Sequence, residues 1–143
     1  MPVTLNHTIV HASDPVETAG FYADILNLPP ARQLGHFTVL QVGETSLDML
    51  QTDETISSCH FAFLVSETEF ADVLGRIKAR NLPYWADPFH KVPNQINRWD
   101  DGHGVYFDDP NGHILEVITR PYGSGGPHAD HPNPLLPKTK PKT

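Results

Sequence analysis

The chain has little of what marks a secreted, membrane or disulfide-bonded protein. It contains a single cysteine, Cys59, in 143 residues, so no disulfide can form within the chain. It has neither a charged leader followed by an apolar core nor an apolar run long enough to cross a bilayer. We therefore expect a soluble, cytoplasmic protein.

Basic side chains are also scarce. Residues 1–120 carry sixteen acidic and seven basic side chains, a net charge of −9 with histidine neutral. A body this acidic repels phosphate backbones and anionic lipid, so we expect no nucleic-acid partner and no membrane partner. A cation is a better candidate ligand, and the nine histidines offer nitrogen atoms that bind one.

Large aliphatic side chains nearly disappear after residue 120. Residues 121–143 hold six prolines and three lysines, with Leu135 and Leu136 as the only large aliphatic residues. Such a composition cannot form a core. We predict that residues 1–120 carry the fold, as one domain or as two small repeats, and that residues 121–143 form a proline-rich tail without a catalytic role.

The chain does contain an internal repeat. A strand pattern around His7 leads to a helix start at residues 14–17, where an N-cap aspartate, a proline and a glutamate occur together. Fifty-three residues later, a strand pattern around His60 leads to a second capping box at residues 66–69. Each repeat is predicted to be a strand, a helix and about three further strands. The predicted modules are about residues 1–55 and 56–120.

The last strands of the two modules also correspond. Residues 47–50 align with residues 115–118, so Asp48 is paired with Glu116. The offset between the modules grows from 53 to 68, which places an insertion of 15 residues within residues 87–102. That insertion mixes aromatic and cationic side chains, which suits either a loop that selects an anionic aromatic substrate or a solvated surface loop.

Two histidines and two carboxylates in corresponding positions are the strongest chemical signal. Imidazole nitrogen and carboxylate oxygen together suit divalent Fe, Mn, Ni, Co or Zn. Glu116 lies in the apolar strand pattern 114–118, where an unpaired carboxylate costs several kcal/mol. We interpret Glu116 as a metal ligand rather than as a solvated residue of an edge strand. Asp48 has three open interpretations: a fourth ligand, an acid–base group beside the metal, or a solvated aspartate.

Residues 4–120 resemble the vicinal oxygen chelate superfamily of glyoxalases, bleomycin resistance proteins, fosfomycin resistance enzymes and extradiol dioxygenases. The most specific stretch is residues 105–116, where an aromatic strand, a DPxG turn and a glutamate four residues beyond the glycine follow in order. The other stretches are residues 5–7 with 14–22, and residues 59–63.

The resemblance implies an α+β fold in which two βαβββ modules form a cup-shaped mixed sheet around a metal site. It also implies a divalent metal held by His7, His60 and Glu116. In many members with two modules per chain, each metal site is completed across a dimer. His7 would then come from one subunit, and His60 with Glu116 from the other, which predicts a homodimer with sites between modules.

Residues upstream of Glu116 favour one reaction of this superfamily. Extradiol ring-cleaving dioxygenases carry a tyrosine ten residues before the metal glutamate, and Tyr106 is ten before Glu116. They also carry a histidine several residues before that tyrosine, whereas His103 is three before Tyr106, so the match is incomplete. We predict an extradiol-dioxygenase-like enzyme for a small-molecule substrate with two adjacent oxygens. Fe2+ is the favoured metal, with Mn2+, Ni2+, Co2+ and Zn2+ as alternatives.

Other reactions of the superfamily stay open. Glyoxalase and epimerase members, which are lyases or isomerases, use a fourth acidic or amide ligand where Asp48 stands. Fosfomycin-type thiol transferases share the three ligands and Tyr106, but their lysine and potassium-binding residues have no clear counterpart here. Non-catalytic drug-binding members lack the metal ligands that this chain keeps. The catalytic candidates are therefore Tyr106, Asp48 and His103.

Overall fold

The computed structural model describes residues 2–136, in which two helices and seven strands form two units. One unit contains the residues up to Cys59 together with Asp109–His113, and the other contains His60–Asp108 and the residues from Ile114 onward. The end of the predicted tail, residues 137–143 with its three lysines, lies outside the described residues. Neither helix found within residues 2–136 is long and apolar enough to cross a membrane.

The first unit is a complete βαβββ module. Its elements are β1 (His7–Ala12), α1 (Pro15–Leu26), β2 (Arg32–Leu34), β3 (Phe37–Val42) and β4 (Thr45–Gln51). This matches the predicted strand, helix and three-strand order. Its sheet has the strand order β1-β4-β3-β2, with β1 parallel to β4 and the other neighbours antiparallel.

The second unit has a shorter regular sheet. The elements are β5 (His60–Leu64), α2 (Glu67–Ala79), a 3-10 turn (Trp99–Asp101), β6 (Gly104–Asp108) and β7 (Ile114–Ile118). The strand order is β5-β7-β6, with β5 parallel to β7 and β6 antiparallel to it.

Beyond β6 the pairing continues through isolated bridges of Trp85 and Asn97 rather than through a further regular strand. Prolines at 83, 88 and 93 remove backbone donors from this segment, which explains why it does not form a ladder.

Both helices begin where the repeat predicts, and both end in the same way. The Asp14 side chain accepts a hydrogen bond from the Glu17 N–H at the start of α1, and Ser66 and Glu69 form a reciprocal capping box at the start of α2. Each helix is followed by an asparagine with positive φ, 55° at Asn27 and 54° at Asn81. Asparagine tolerates this left-handed conformation, so the chain turns away from the end of each helix in the same manner.

Each sheet has an apolar face that forms part of the core. In the first unit the buried residues alternate along β1 and β4, as expected for strands with one face under a helix. In the second unit the apolar residues of β6 and β7 alternate in the same way, and Tyr106 and Glu116 are buried on the opposite face. The buried residues of the apolar faces are Val10, Ala12, Leu47 and Met49 in the first unit, and Val105, Phe107, Leu115 and Val117 in the second. The mixed α+β fold predicted from the sequence is therefore confirmed.

The DPxG turn predicted at residues 109–112 joins β6 to β7 but belongs to the first unit. The Tyr22 hydroxyl donates to Asp109 Oδ2 at 2.7 Å, and burial together with Asp109 raises the pKa of Tyr22 far above its usual range. The other Asp109 oxygen accepts the N–H groups of Asn111 and His113. The fully buried His113 accepts from the Cys59 N–H at Nδ1, so its Nε2–H donates to the His11 carbonyl at 2.8 Å.

Removing the Tyr22 hydroxyl is expected to destabilise this turn. Tyr22→Phe leaves Asp109 Oδ2 buried without its donor, so the free energy of unfolding should fall by about 1.5–3 kcal/mol, the range for a hydrogen bond to a charged group. Urea unfolding followed by circular dichroism measures the change. Tyr84→Phe is the control and should cost less than about 0.5 kcal/mol. Equal losses in the two variants would contradict the role assigned to the Tyr22–Asp109 bond.

Candidate metal centre

The centre is built on Glu116, a carboxylate in the middle strand of the second unit's sheet. Glu116 pairs with Ala62 on β5 and with Tyr106 on β6, and 3% of it is exposed. Its side chain lies on the face opposite that of Leu115 and Val117, because side chains alternate along a strand. Glu116 is therefore a buried carboxylate of a middle strand rather than a solvated residue of an edge strand.

His60, the first residue of β5, meets this carboxylate. His60 Nε2 lies 3.1 Å from Glu116 Oε1. The imidazole is 46% exposed and the carboxylate 4%, so His60 forms the solvent-facing side of the pair. The two residues are two positions apart in register, since Glu116 pairs with Ala62 rather than with His60. Both side chains reach over the same face of the sheet.

The His60–Glu116 pair fits a divalent metal in chemistry and in spacing. Imidazole nitrogen and carboxylate oxygen bind such ions at about 2.0–2.2 Å, so two ligands at right angles on one ion lie about 3 Å apart. The observed separation of 3.1 Å is the same. Within residues 2–136 of one chain, no three histidine, cysteine, aspartate or glutamate side chains form a metal-binding cluster.

Tyr106 completes the polar floor of this site. Its ring lies 5.9 Å from the His60 ring, centroid to centroid, and is nearly parallel to it at 22°. Its hydroxyl is hydrogen-bonded to Glu116, and 3% of the residue is exposed. Burial, and after it the negative charge of Glu116, raises the pKa of Tyr106 well above its usual range. The hydroxyl therefore keeps its proton at neutral pH and acts as a donor.

These three side chains open into a cavity of about 450 Å³ that lies within the second unit. Its polar groups converge at one end, whereas the rest of the wall is apolar and aromatic. Such a combination is typical of small-molecule sites. The remaining lining residues are Ala62, Pro88, Phe89, Ile114, Tyr122 and Leu135.

Two of these lining residues come from the segment predicted to be a tail. Tyr122 and Leu135 line the cavity although the composition of residues 121–143 predicts no core. The signals that could have found them are the Asp100-Asp101 pair and the glycines at 123, 125 and 126, which allow tight backbone contacts. Phe89 comes from the insertion in the second module, where a substrate-selecting loop was one of two interpretations.

The first unit carries His7 and Asp48 in equivalent register. Asp48 pairs with Ile9 on β1 and with Val39 on β3, as Glu116 pairs with Ala62 and Tyr106. His7 is exposed, and its Nδ1 lies 2.8 Å from the Asn6 side-chain oxygen. Asp48 is half-buried and accepts a hydrogen bond from the Ser46 hydroxyl at 2.8 Å. The predicted correspondence of the two histidines and two carboxylates therefore extends to their positions in the sheets.

His103 lies on the other face of the second sheet. It precedes β6, and its Nδ1 is 2.7 Å from Glu67 Oε2 at the start of α2, with its ring 5.6 Å from that of Phe70. Hydrogen bonds from Thr119 and from His103 hold the pKa of Glu67 below its usual range. Tyr106, three residues later, faces the cavity, because an odd step along a strand reverses the side-chain direction. His103 is not among the residues that line the cavity.

Comparison with known proteins identifies the family. A family model described as the Glyoxalase/Bleomycin resistance protein/Dioxygenase superfamily matches residues 4–117. The chain belongs to this superfamily. The resemblance seen in the sequence is therefore confirmed, and with it the membership of an enzyme superfamily whose members typically use a divalent metal and bind small molecules.

Solved structures of superfamily members resemble the chain over most of its length. The structure titled "Oxidase ChaP-H2" is 52% identical, covering 88% of this chain and 100% of that one with a TM-score of 0.85. "Oxidase ChaP-H1" is 50% identical, covering 85% and 99% with a TM-score of 0.83. A lactoylglutathione lyase from Agrobacterium tumefaciens is 21% identical, covering 82% and 94% with a TM-score of 0.64, and shares the fold.

Proposed function

We propose that the protein is a metal-dependent enzyme that uses dioxygen to oxidise a small molecule with two adjacent oxygens, in the manner of an extradiol dioxygenase. The observation that carries the proposal is the His60–Glu116 pair, 3.1 Å apart at the polar end of an apolar cavity. A metal held by this pair with open positions would bind both substrate oxygens and stabilise the negative charge that develops on them.

The residues of the cavity divide the remaining work. His60 and Glu116 hold the metal, with Fe2+ favoured and Mn2+, Ni2+, Co2+ or Zn2+ as alternatives. Tyr106 keeps its single proton, which it donates to Glu116 in the free protein and can donate to a substrate oxygen instead in the complex. The apolar wall receives the rest of the substrate and excludes water from the polar end. We leave His103 out of the groups that meet substrate, since it contacts Glu67 and Phe70 instead.

The names of the two similar structures support oxygen chemistry. Both are titled oxidases at half or more identical residues, and an oxidase passes electrons from its substrate to dioxygen. A glyoxalase- or epimerase-like reaction is the second candidate, because Asp48 occupies the register position of a fourth ligand or acid–base group. Its hydrogen bond with Ser46 and its shorter side chain favour a role beside the metal rather than on it.

Metal content and oxygen uptake together test the reaction class. Protein purified without chelator should contain close to one divalent ion per chain, and oxygen uptake should appear with Fe2+ and a panel of substituted catechols. Mass spectrometry of the metal and an oxygen electrode measure the two quantities. Bound nickel, cobalt or zinc without oxygen uptake would favour the glyoxalase- or epimerase-like reaction.

Glu116 is expected to matter more to metal retention than Asp48. Glu116→Gln keeps the size of the side chain but removes its charge, and should weaken Mn2+ binding about 100-fold or more. Asp48→Asn is the matched control and should weaken it less than about tenfold. Isothermal titration calorimetry measures both affinities. If the two variants bind Mn2+ equally well, Glu116 is not a ligand.

The third ligand is proposed to be His7 of the partner subunit in a homodimer. His7→Ala and His60→Ala proteins should each lose tight Mn2+ binding, because every site lacks one histidine. When the two proteins are unfolded together and refolded, each mixed dimer should regain one complete site of its two. Since half of randomly formed dimers are mixed, about a quarter of all sites should bind Mn2+ again.

The same mixture distinguishes the two possible assemblies. If His7 and His60 of one chain serve the same site, no pairing of these variants restores binding. Sedimentation should also report about twice the 15.9 kDa of the chain for the unmodified protein. A monomer that binds Mn2+ tightly would refute the assignment of His7 to a partner.

A further inference from the structure

The segment after β7 is tied to the second unit by two consecutive aspartates. Asp100 is 3% exposed, and its carboxylate accepts the N–H groups of Gly123 at 3.0 Å and Gly125 at 3.1 Å. The Asp100 N–H donates to the His131 carbonyl at 2.7 Å. The Asp101 carboxylate accepts the His131 N–H at 2.8 Å. Hydrogen bonds of the backbone therefore hold residues 123–131 in place. These bonds do not require apolar side chains, of which the segment has few.

The turn at Asp100 and Asp101, which we call the anchor of the segment, has a strained backbone. Asp100 and Asp101 have φ values of 60° and 59°, in the left-handed region that residues other than glycine rarely adopt. Two adjacent residues in this region persist where surrounding contacts compensate for the strain. Here the compensation comes from the hydrogen bonds that the two carboxylates accept from the segment. The strained turn and the segment thus stabilise each other.

Close packing at Gly125 shows that the fit is tight. A Cβ atom at this position would lie 2.8 Å from the Asp100 Cα and 3.1 Å from the Asp100 carbonyl carbon. Both atoms belong to the backbone and cannot move aside as a flexible side chain would. Glycine is therefore required where the segment crosses the 3-10 turn, and a methyl group there would push the segment away.

The held segment carries part of the cavity wall. Tyr122 precedes the first anchored residue and Leu135 follows the last, and both line the cavity that holds His60 and Glu116. Their side chains are 63% and 67% exposed, although both are large and apolar. Phe89, from the insertion loop, lines the same cavity and is 73% exposed. Three large side chains that face an open cavity offer apolar surface to whatever enters it.

We infer that residues 121–136 form a specificity wall of the site, in which Tyr122 and Leu135 contact the apolar body of the substrate and Asp100 positions them through the backbone. The inference builds on the proposed function for the polar end of the substrate. It adds that the substrate carries an apolar body larger than a single catechol ring, since one ring fills only part of a 450 Å³ cavity. The segment affects which substrate binds and does not hold the metal.

Two probes of different size test the wall in the full chain loaded with Mn2+. Catechol presents two adjacent oxygens on one ring, and 2,3-dihydroxynaphthalene presents the same oxygens on two fused rings. The double variant Tyr122→Ala/Leu135→Ala should bind the naphthalene probe about tenfold more weakly and catechol less than threefold more weakly, because only the larger probe reaches the wall. Leu64→Ala is the matched control, since Leu64 is an exposed leucine that does not line the cavity.

Gly125→Ala tests the positioning role of the anchor. Displacing the segment should reduce the preference for the naphthalene probe to that of the double variant and leave Mn2+ affinity within about twofold of the unmodified protein. A general loss of stability would weaken both probes alike and leave their ratio unchanged. Ser124→Ala, at the neighbouring exposed position, should behave as the unmodified protein does. If Gly125→Ala does not fold, the double variant decides the inference.

The outcomes separate this inference from the proposed function. If the double variant keeps the probe preference of the unmodified protein, residues 121–136 do not form a specificity wall. If Gly125→Ala loses Mn2+ binding, the segment does more than select the substrate. If the unmodified protein binds no metal, 2-naphthol, which lacks the second oxygen, probes the metal-free cavity by fluorescence. A loss of 2-naphthol affinity in the double variant then supports the wall although the metal chemistry has failed, and equal affinity refutes it.

Discussion

The second unit is arranged around the need to bury one carboxylate. Glu116 stands in the middle strand of a three-stranded sheet and is almost wholly removed from solvent. A carboxylate in that position destabilises the fold unless charges or donors face it. His60 and Tyr106, on the two flanking strands, are both aimed at it. The protein therefore accepts a polar group where an aliphatic one would be more stabilising, as functional sites commonly do.

The two units share a register but differ in what surrounds their carboxylates. Glu116 is flanked by Ala62 and Tyr106, so a small residue leaves room for the cavity and an aromatic hydroxyl supplies a donor. Asp48 is flanked by Ile9 and Val39, and its hydrogen bond comes from the neighbouring Ser46. The shorter Asp48 is also more exposed to solvent than Glu116. The same backbone pattern thus places a buried carboxylate at a cavity in one unit and a partly solvated carboxylate in the other.

The C-terminal segment shows how backbone contacts can replace a core. Residues 123–131 contain few apolar side chains, yet Asp100 and Asp101 hold them at both ends. Each carboxylate accepts hydrogen bonds from N–H groups that would otherwise bond to water, and glycine at position 125 permits the approach. Side chains on either side of the anchored stretch then reach the cavity. A local loss of hydrophobicity is consequently not a measure of a segment's order or of its role.

Much of the architecture could be predicted because it depends on local signals. Helix capping at residues 14–17 and 66–69, the alternation of the strands and the repeat itself are properties of short stretches. The repeat matches His60 with His7 and Glu116 with Asp48, but it does not indicate that His60 and Glu116 meet. The 3.1 Å contact is a product of pairing between β5 and β7, which lie more than fifty residues apart. Sequence spacing indicates which residues can meet, whereas strand register decides the distance.

Other features depended wholly on tertiary structure. His103 and Tyr106 are close in sequence, yet the pleat of β6 directs them to opposite faces, so spacing alone gave His103 a role that its contacts with Glu67 do not support. The anchoring of the tail joins Asp100 to glycines more than twenty residues later, and such backbone hydrogen bonds leave no periodic pattern in the sequence. The sequence by itself determined the fold class and the chemical character of the site. Long-range pairing alone decided which side chains line the cavity, because burial and direction are set by neighbours that are distant along the chain.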